Sequence, residues 1–461
     1  MRVKKKEDRT RFYYVKHFEN YLRFKCGKVV SQEIIDAASK HRSIDVLEFE
    51  LDKWDRLTPA LFEENLNFSP FSRHRRIKEV RIRNICGTID LSPLRKIKSL
   101  TATFSDRIYF ERIEFSRDKI IEQFDNRIVL PASRDLEKVT VSGALKHDRR
   151  SLAQYPKLKE LTIEDLEDND LSWLSESKSI EKLDLQHTLP DHIILPELVS
   201  LKELWIGFSL RDKDKSREMR SLKTLDLSPL SVCKELQDIR IYGQRFKEID
   251  LSPLASCKSL KNLLIGSSAT SVDVSPLSSI PLESLDLGSN IHSIILPDLR
   301  HLRSLGLGYN KFQSIDLSSI SRYENLETLG LRGNQFQEID LSPLLGLSKL
   351  RYLDLSNNKL EELDLSPLSG KLSLHRLELN GNNLEKLDLS PLKGIDGLLL
   401  FLNHNKHLKE VDVTPLLEEP NSMIYRARGI KLIASKEVKE IFELNASREK
   451  RTHMSRKIQW Y

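Results

Sequence analysis

"LETLGLRGNQFQEIDLSPLLGLSK" occupies residues 326–349, and the next 24 positions, "LRYLDLSNNKLEELDLSPLSGKLS" at 350–373, repeat its pattern almost residue for residue. Each unit has two halves. In the first, LxxLxLxxN, three leucines alternate with polar residues, so a short strand buries one face and presents the other. In the second, "IDLSPL", Ile339, Leu341 and Leu344 point inward, Ser342 caps a short helix and Pro343 suits its first position. One such strand cannot bury its apolar face alone. Stacked on its neighbours it gives a parallel sheet over a continuous core.

The period extends well beyond these two units. "LHRLELNGN" stands at 374–382, with weaker copies starting at 77, 136, 158, 180, 201, 236, 260, 282 and 302. With degenerate copies near Ile44 and Leu100 and a last strand near Leu400–Asn405, the chain holds about 13–15 repeats. The asparagine column, Asn290, Asn310, Asn334, Asn358, Asn382 and Asn405, is expected to hydrogen-bond the backbone where the chain leaves the sheet. Asp316, Asp340, Asp364, Asp388 and Asp412 form a file about 5 Å apart at strand spacing. Local capping of backbone N–H groups is favoured over a cation there, because exposed charges at that distance repel by only about 0.8 kcal/mol in water. Cys233 and Cys257 fall in a core column with Ile97, Ile280, Tyr323, Leu347 and Ile395 and read as small buried hydrophobes. Cys26 and Cys86 have no such place, and no CxxC spacing is present, so neither a disulfide scaffold nor a metal site is expected.

LxxLxLxxN is the strand signature of leucine-rich repeats, and the chain resembles that superfamily over about residues 77–416. It looks more like the intracellular and prokaryotic members, with repeats of about 24 residues, than the disulfide-capped extracellular ones, since no cysteine cluster flanks either end. The expected fold is an α/β solenoid, a horseshoe with a parallel concave β-sheet and short 3-10 or α-helical turns on its convex side. The resemblance implies a non-catalytic scaffold or recognition module whose concave face binds a protein partner, without a cofactor. A regulatory subunit wrapping an enzyme such as a phosphatase is a further alternative from the same family.

Four segments are expected: a partly helical N-terminal cap over 1–70 merging into a degenerate first repeat, the solenoid over 71–416, a C-terminal cap over 417–445 and a basic mobile tail over 446–461. "SKEVKEIFEL" at 435–444 has helical spacing that suits the C-terminal cap. Insertions interrupt the period near 105–124 and at 211–220. The 461 residues carry a net charge of +6. Residues 1–24 hold eight Lys/Arg against three Asp/Glu, and residues 421–461 ten against four. Basic ends make a nucleic-acid-associated protein the alternative reading, although neither end interleaves aromatic and base-reading residues. No apolar run reaches the roughly 18 residues of a membrane span, and the basic start lacks an apolar core, so a cytoplasmic location is expected.

The outward strand positions supply the candidate partner-binding set: Trp205, Phe208, Arg240, Tyr242, Arg303, Tyr309, Arg332, Arg351, Tyr352, His375 and Arg376, with Phe401 and His404 further along. Trp, Tyr and Arg most often carry interface energy. Asp286, Asp354 and Glu378 interrupt the set, so the face is mixed and not a basic stripe. Motifs for hydrolysis, phosphate binding and zinc catalysis are absent from the sequence, so no catalytic residue is assigned.

Overall fold

The computed structural model describes residues 13–18, 21–26, 29–30, 35–36, 39–40, 45–51, 61–62, 66–74, 76–85, 88–104, 108–110, 113–115, 127–142, 152–164, 166, 169–186, 190–207, 221–288, 290–417, 419, 421–425, 430–434, 439 and 458–460. The chain divides into two compact units, Met1–Leu222 and Lys223–Tyr461. Each is an α/β solenoid built on its own run of parallel strands.

In the first unit, Val46–Leu51, Glu79–Ile85, Ser99–Phe104, Lys138–Ser142, Glu160–Glu164, Lys182–Gln186 and Glu203–Gly207 pair in that order. The register sets leucine against leucine: Val139, Leu161, Leu183 and Leu204 are successive partners, and all four are fully buried. In the second unit the strands begin at Asp238, Asn262, Ser284, Ser304, Thr328, Tyr352, Arg376, Leu399 and Met423, again paired parallel in sequence order. One central leucine per repeat, from Leu263 through Leu285, Leu305, Leu329, Leu353 and Leu377 to Leu400, stacks into the core at 0–1% exposure, which leaves the intervening side chains on an open face.

The return half folds as 3-10 turns, at Ser228–Val232, Ser252–Ser256, Ser275–Ser279, Ser318–Arg322, Ser342–Leu344, Ser366–Leu368 and Ser390–Leu392. The serines do not cap these turns. Leu341 holds the cap position and Ser342 is already helical, so the carboxylate of Asp340 takes the capping role by accepting the Ser342 N–H at 2.8 Å. The same bond recurs at Asp226, Asp250, Asp316, Asp364 and Asp388. At Asp412 the donor is the N–H of Thr414, at 2.9 Å, opening the short α-helix Thr414–Leu417. The aspartate file is therefore a file of local caps.

From Asn310 onward the asparagine column behaves as its position requires. Asn334 donates Nδ2 to the Leu331 carbonyl of its own repeat and the Leu307 carbonyl of the repeat before, both at 2.9 Å, and its Oδ1 accepts the Phe312 N–H. Asn310, Asn358, Asn382 and Asn405 each make the same pair of carbonyl bonds. Beneath them Phe312 and Phe336 stack 6.4 Å apart and nearly parallel. In the neighbouring core column Cys233 and Cys257 are free, buried thiols. That column also contains Lys371, 5% exposed between Leu347 and Ile395, whose ammonium donates to the Leu345 carbonyl at 2.8 Å.

At the N-terminal end, where a partly helical cap is expected, residues 35–36 and 39 are helical and most other described residues are strand: Tyr13–Phe18 pairs antiparallel with Tyr21–Cys26, which joins Val46–Leu51 in parallel. The alternation of "VLEFEL" explains the last of these, with Leu47 and Phe49 in the core at period two and Glu48 between them buried as well. Past residue 416, Met423–Tyr425 adds one more strand to the sheet. Ile458–Trp460, expected in a mobile tail, pairs with Lys431–Ala434, itself paired with Glu410–Asp412, and Ile458 is buried there. The expected helix at 435–444, apart from Lys439, and the insertion at 211–220 lie outside the described residues. In the insertion near 105–124, Ile108–Phe110 and Ile113–Phe115 form a hairpin.

Candidate functional site on the open face of the sheet

In the first unit Trp205 stands opposite Asp184, with the Lys182 ammonium 3.3 Å from its ring centroid. Lys182 also pairs with Glu203 at 2.7 Å. A cation held between a carboxylate and an indole face fixes both partners. Phe208 lies outside the described residues.

In the second unit the register brings several candidates together. Arg240 binds Asp238 through Nε at 2.7 Å and Nη2 at 3.0 Å, a fork that raises the guanidinium pKa, and Tyr242 sits half-buried on the next outward position. Tyr309, in the left-handed region at φ 57°, is 62% exposed and lies 5.5 Å from the guanidinium of Arg332. With the Asn357 amide turned so that its oxygen faces Arg332, it accepts from Arg332 Nε and Nη2 at 3.1 and 3.2 Å. Gly333 makes room for the ring, because a Cβ there would meet Tyr309 Cδ1 at 2.8 Å.

The densest group is Tyr352, Asp354, Arg376, Glu378 and Phe401. The Tyr352 hydroxyl lies 3.0 Å from Asp354 Oδ2 and 3.2 Å from Glu378 Oε1. Burial and these two carboxylates raise its pKa. Asp354 is held further by the N–H and hydroxyl of Ser356. Arg376 Nε donates to Glu378 at 2.7 Å, and its guanidinium covers the Phe401 ring at 4.6 Å and the Tyr352 ring at 5.5 Å. Arg303, Arg351 and His375 line the strand entry: Arg303 pairs with Glu327 at 3.0 Å, while His375 Nδ1 lies 2.7 Å from the Ser373 carbonyl. His404 is exposed at φ 62°.

Two features escape a repeat-by-repeat reading. One is a ladder of alternating charge across the strand entries, with Lys98–Glu137 at 2.7 Å, Lys159–Glu181 at 2.9 Å, Lys202–Glu181 at 3.0 Å and Lys261–Glu283 at 3.1 Å. Reading down the column of second positions would have found it. The other is Asp286, whose carboxylate lies over Gly306. Among the described residues no group of three or more His, Cys, Asp or Glu is placed to hold a metal ion, and no helix is long and apolar enough to cross a membrane.

A family model for the leucine rich repeat matches residues 300–360 and 324–384, the stretch that carries the asparagine ladder. Residues 300–384 carry leucine-rich repeats, and the fold is that of a leucine-rich repeat solenoid. Solved leucine-rich repeat structures share its fold. A protein of Leptospira interrogans superposes with a TM-score of 0.51 at 17% identity, over 87% of this chain and 99% of that one. The plant peptide hormone receptor RGFR1, in complex with RGF2, gives 0.53 at 14% identity, over 96% and 68%. An internalin of Listeria monocytogenes gives 0.43 at 24% identity, over 64% and 78%. No curated protein matches the sequence. At these identities the likeness to the first two structures is one of fold.

Proposed function

We propose that this leucine-rich repeat protein is a non-catalytic recognition module of the cytoplasm that binds a protein partner on the open face of its sheet. The observation that carries the reading is the group Tyr352, Arg376 and Phe401, held in place by the buried carboxylates Asp354 and Glu378. Aromatic and arginine side chains already fixed in one geometry lose little entropy on binding, which suits them as anchors. The receptor RGFR1, of the same fold, was solved in complex with RGF2, which supports recognition as the use of such a fold.

The test is quantitative capture from native lysate with the full chain, its Arg376→Ala/Phe401→Ala variant and an Ile295→Ser control, Ile295 being exposed away from the strands. One protein partner is expected to fall at least about tenfold with the double variant and to stay with the control. Equal recovery of the same proteins, or of nucleic acid, by all three forms contradicts the reading.

A further inference from the structure

The acidic side chains on the open face of the second unit are matched almost throughout. Arg240 pairs with Asp238, Arg303 with Glu327 and Arg376 with Glu378, while Asp354 is held by Ser356 and Tyr352. Asp286 is the exception: among the described residues its carboxylate has no hydrogen-bond or ion-pair partner. It keeps solvent access on the floor of the sheet. The protein around it offers desolvation and no compensating cation, so its pKa is raised.

The surroundings say what would fit. In the register Asp286 has Leu264 on one side and Gly306 on the other, followed by Gly330 and then Asp354. A Cβ at Gly306 would come within 2.8 Å of the Asp286 Cγ, so the carboxylate rests against bare backbone. At Gly330, one strand spacing of about 4.8 Å beyond Gly306, only backbone lies within 4 Å of where a Cβ would be, so no side chain fills the floor there. An apolar group laid there would bury the carboxylate unpaired, and an anion would be repelled. A cation on a long apolar stem meets both demands, because its charge reaches Asp286 while its methylenes cover the glycine backbone and Leu264.

We propose that this part of the open face receives a lysine or arginine side chain of the protein partner, paired to Asp286 over the floor made by Gly306 and Gly330. The assignment rests on open-face recognition and specifies its chemistry: the partner segment is basic at that point even though the chain itself is net positive.

The full-length chain, immobilised and panned with a displayed random heptapeptide library, tests it alongside two variants. Asp286→Asn removes the charge at constant shape. Gly330→Gln fills the floor, and position 330 accepts a side chain because its Cβ would lie 3.8 Å from the nearest atom. The wild type is expected to select peptides enriched in Lys or Arg at one position, with recovery about tenfold lower on either variant. Peptides without that enrichment, or bound equally by Asp286→Asn, overturn the pairing. If such peptides are still lost with Gly330→Gln, open-face recognition stands without it. If they are indifferent to both variants, or if the wild type selects nothing, both readings fail. Should Gly330→Gln lose its thermal transition, the isosteric Asp286→Asn alone decides the pairing.

Discussion

Asn358 donates its side-chain amide to the carbonyl of Leu331, 27 residues earlier and one repeat down the stack, at 3.1 Å. A second bond to the Leu355 carbonyl, at 3.0 Å, ties it to its own repeat. One buried side chain thus closes the turn of two successive repeats. Asn358→Ala removes one of two side-chain donors from each carbonyl, Leu331 keeping Asn334 and Leu355 keeping Asn382, and strands the Phe336 N–H, so it should lower stability by about 1–3 kcal/mol, measured by urea titration. An unchanged midpoint would mean that water replaces the amide.

Glu181 lies between Lys159 and Lys202, and those two ammonium groups hold its carboxyl below the usual carboxylate range. The pairs are exposed and salt-screened, so Glu181→Gln should cost less than about 1 kcal/mol at low ionic strength. Thermal melts of both forms at low salt and in about 1 M salt should differ in the first condition and converge in the second.

Acid should weaken the solenoid through its return turns. At Asp170, Asp226, Asp250, Asp273, Asp364 and Asp388 the hydroxyl and N–H of the serine two residues on lower the carboxyl pKa; at Asp316 and Asp340 the backbone N–H leads. The folded values lie below the unfolded ones, so this stabilisation is complete above the unfolded pKa near 4 and is lost as pH falls through the folded values. Urea midpoints should be flat from about pH 7 to 5 and decline below about 4. Replacing Asp340 and Asp364 together by Asn should shallow that decline.

Lys371 occupies a column of apolar side chains, and burial lowers its pKa. Its folded pKa lies below the unfolded one, so the penalty is present at neutral pH and is relieved as pH rises from the folded value towards 10.5. Lys371→Leu should therefore stabilise the chain at pH 7 by up to about 1 kcal/mol, with a smaller gain at pH 10. Destabilisation would show that the bond to the Leu345 carbonyl outweighs the burial.

The repeat was readable because a 24-residue period places the same residue type at the same site in every turn, as the Asn and Asp columns show. Within one turn the cap was misplaced: Ser342 is a strong capping residue, but a 3-10 turn that starts at it hands the role to Asp340. The ends were harder, since Val46–Leu51 keeps the strand alternation without the consensus asparagine. The outward residues Trp205, Arg240 and Arg376 could be named from position alone. Their states could not, because Lys182 over Trp205 joins residues on adjacent strands and requires the register. Asp286 gained its interest only when the register set it beside Gly306.

Recognition on the open face is the central claim, and site-specific photocrosslinking tests it most directly. The photoreactive residue would replace Leu264, half-buried on that face between Arg240 and Asp286, or Leu345, exposed on the return side. Irradiation in native lysate is expected to join a discrete protein to the chain from position 264 and not from 345. The same adducts from both positions, or adducts from 345 alone, would contradict the account.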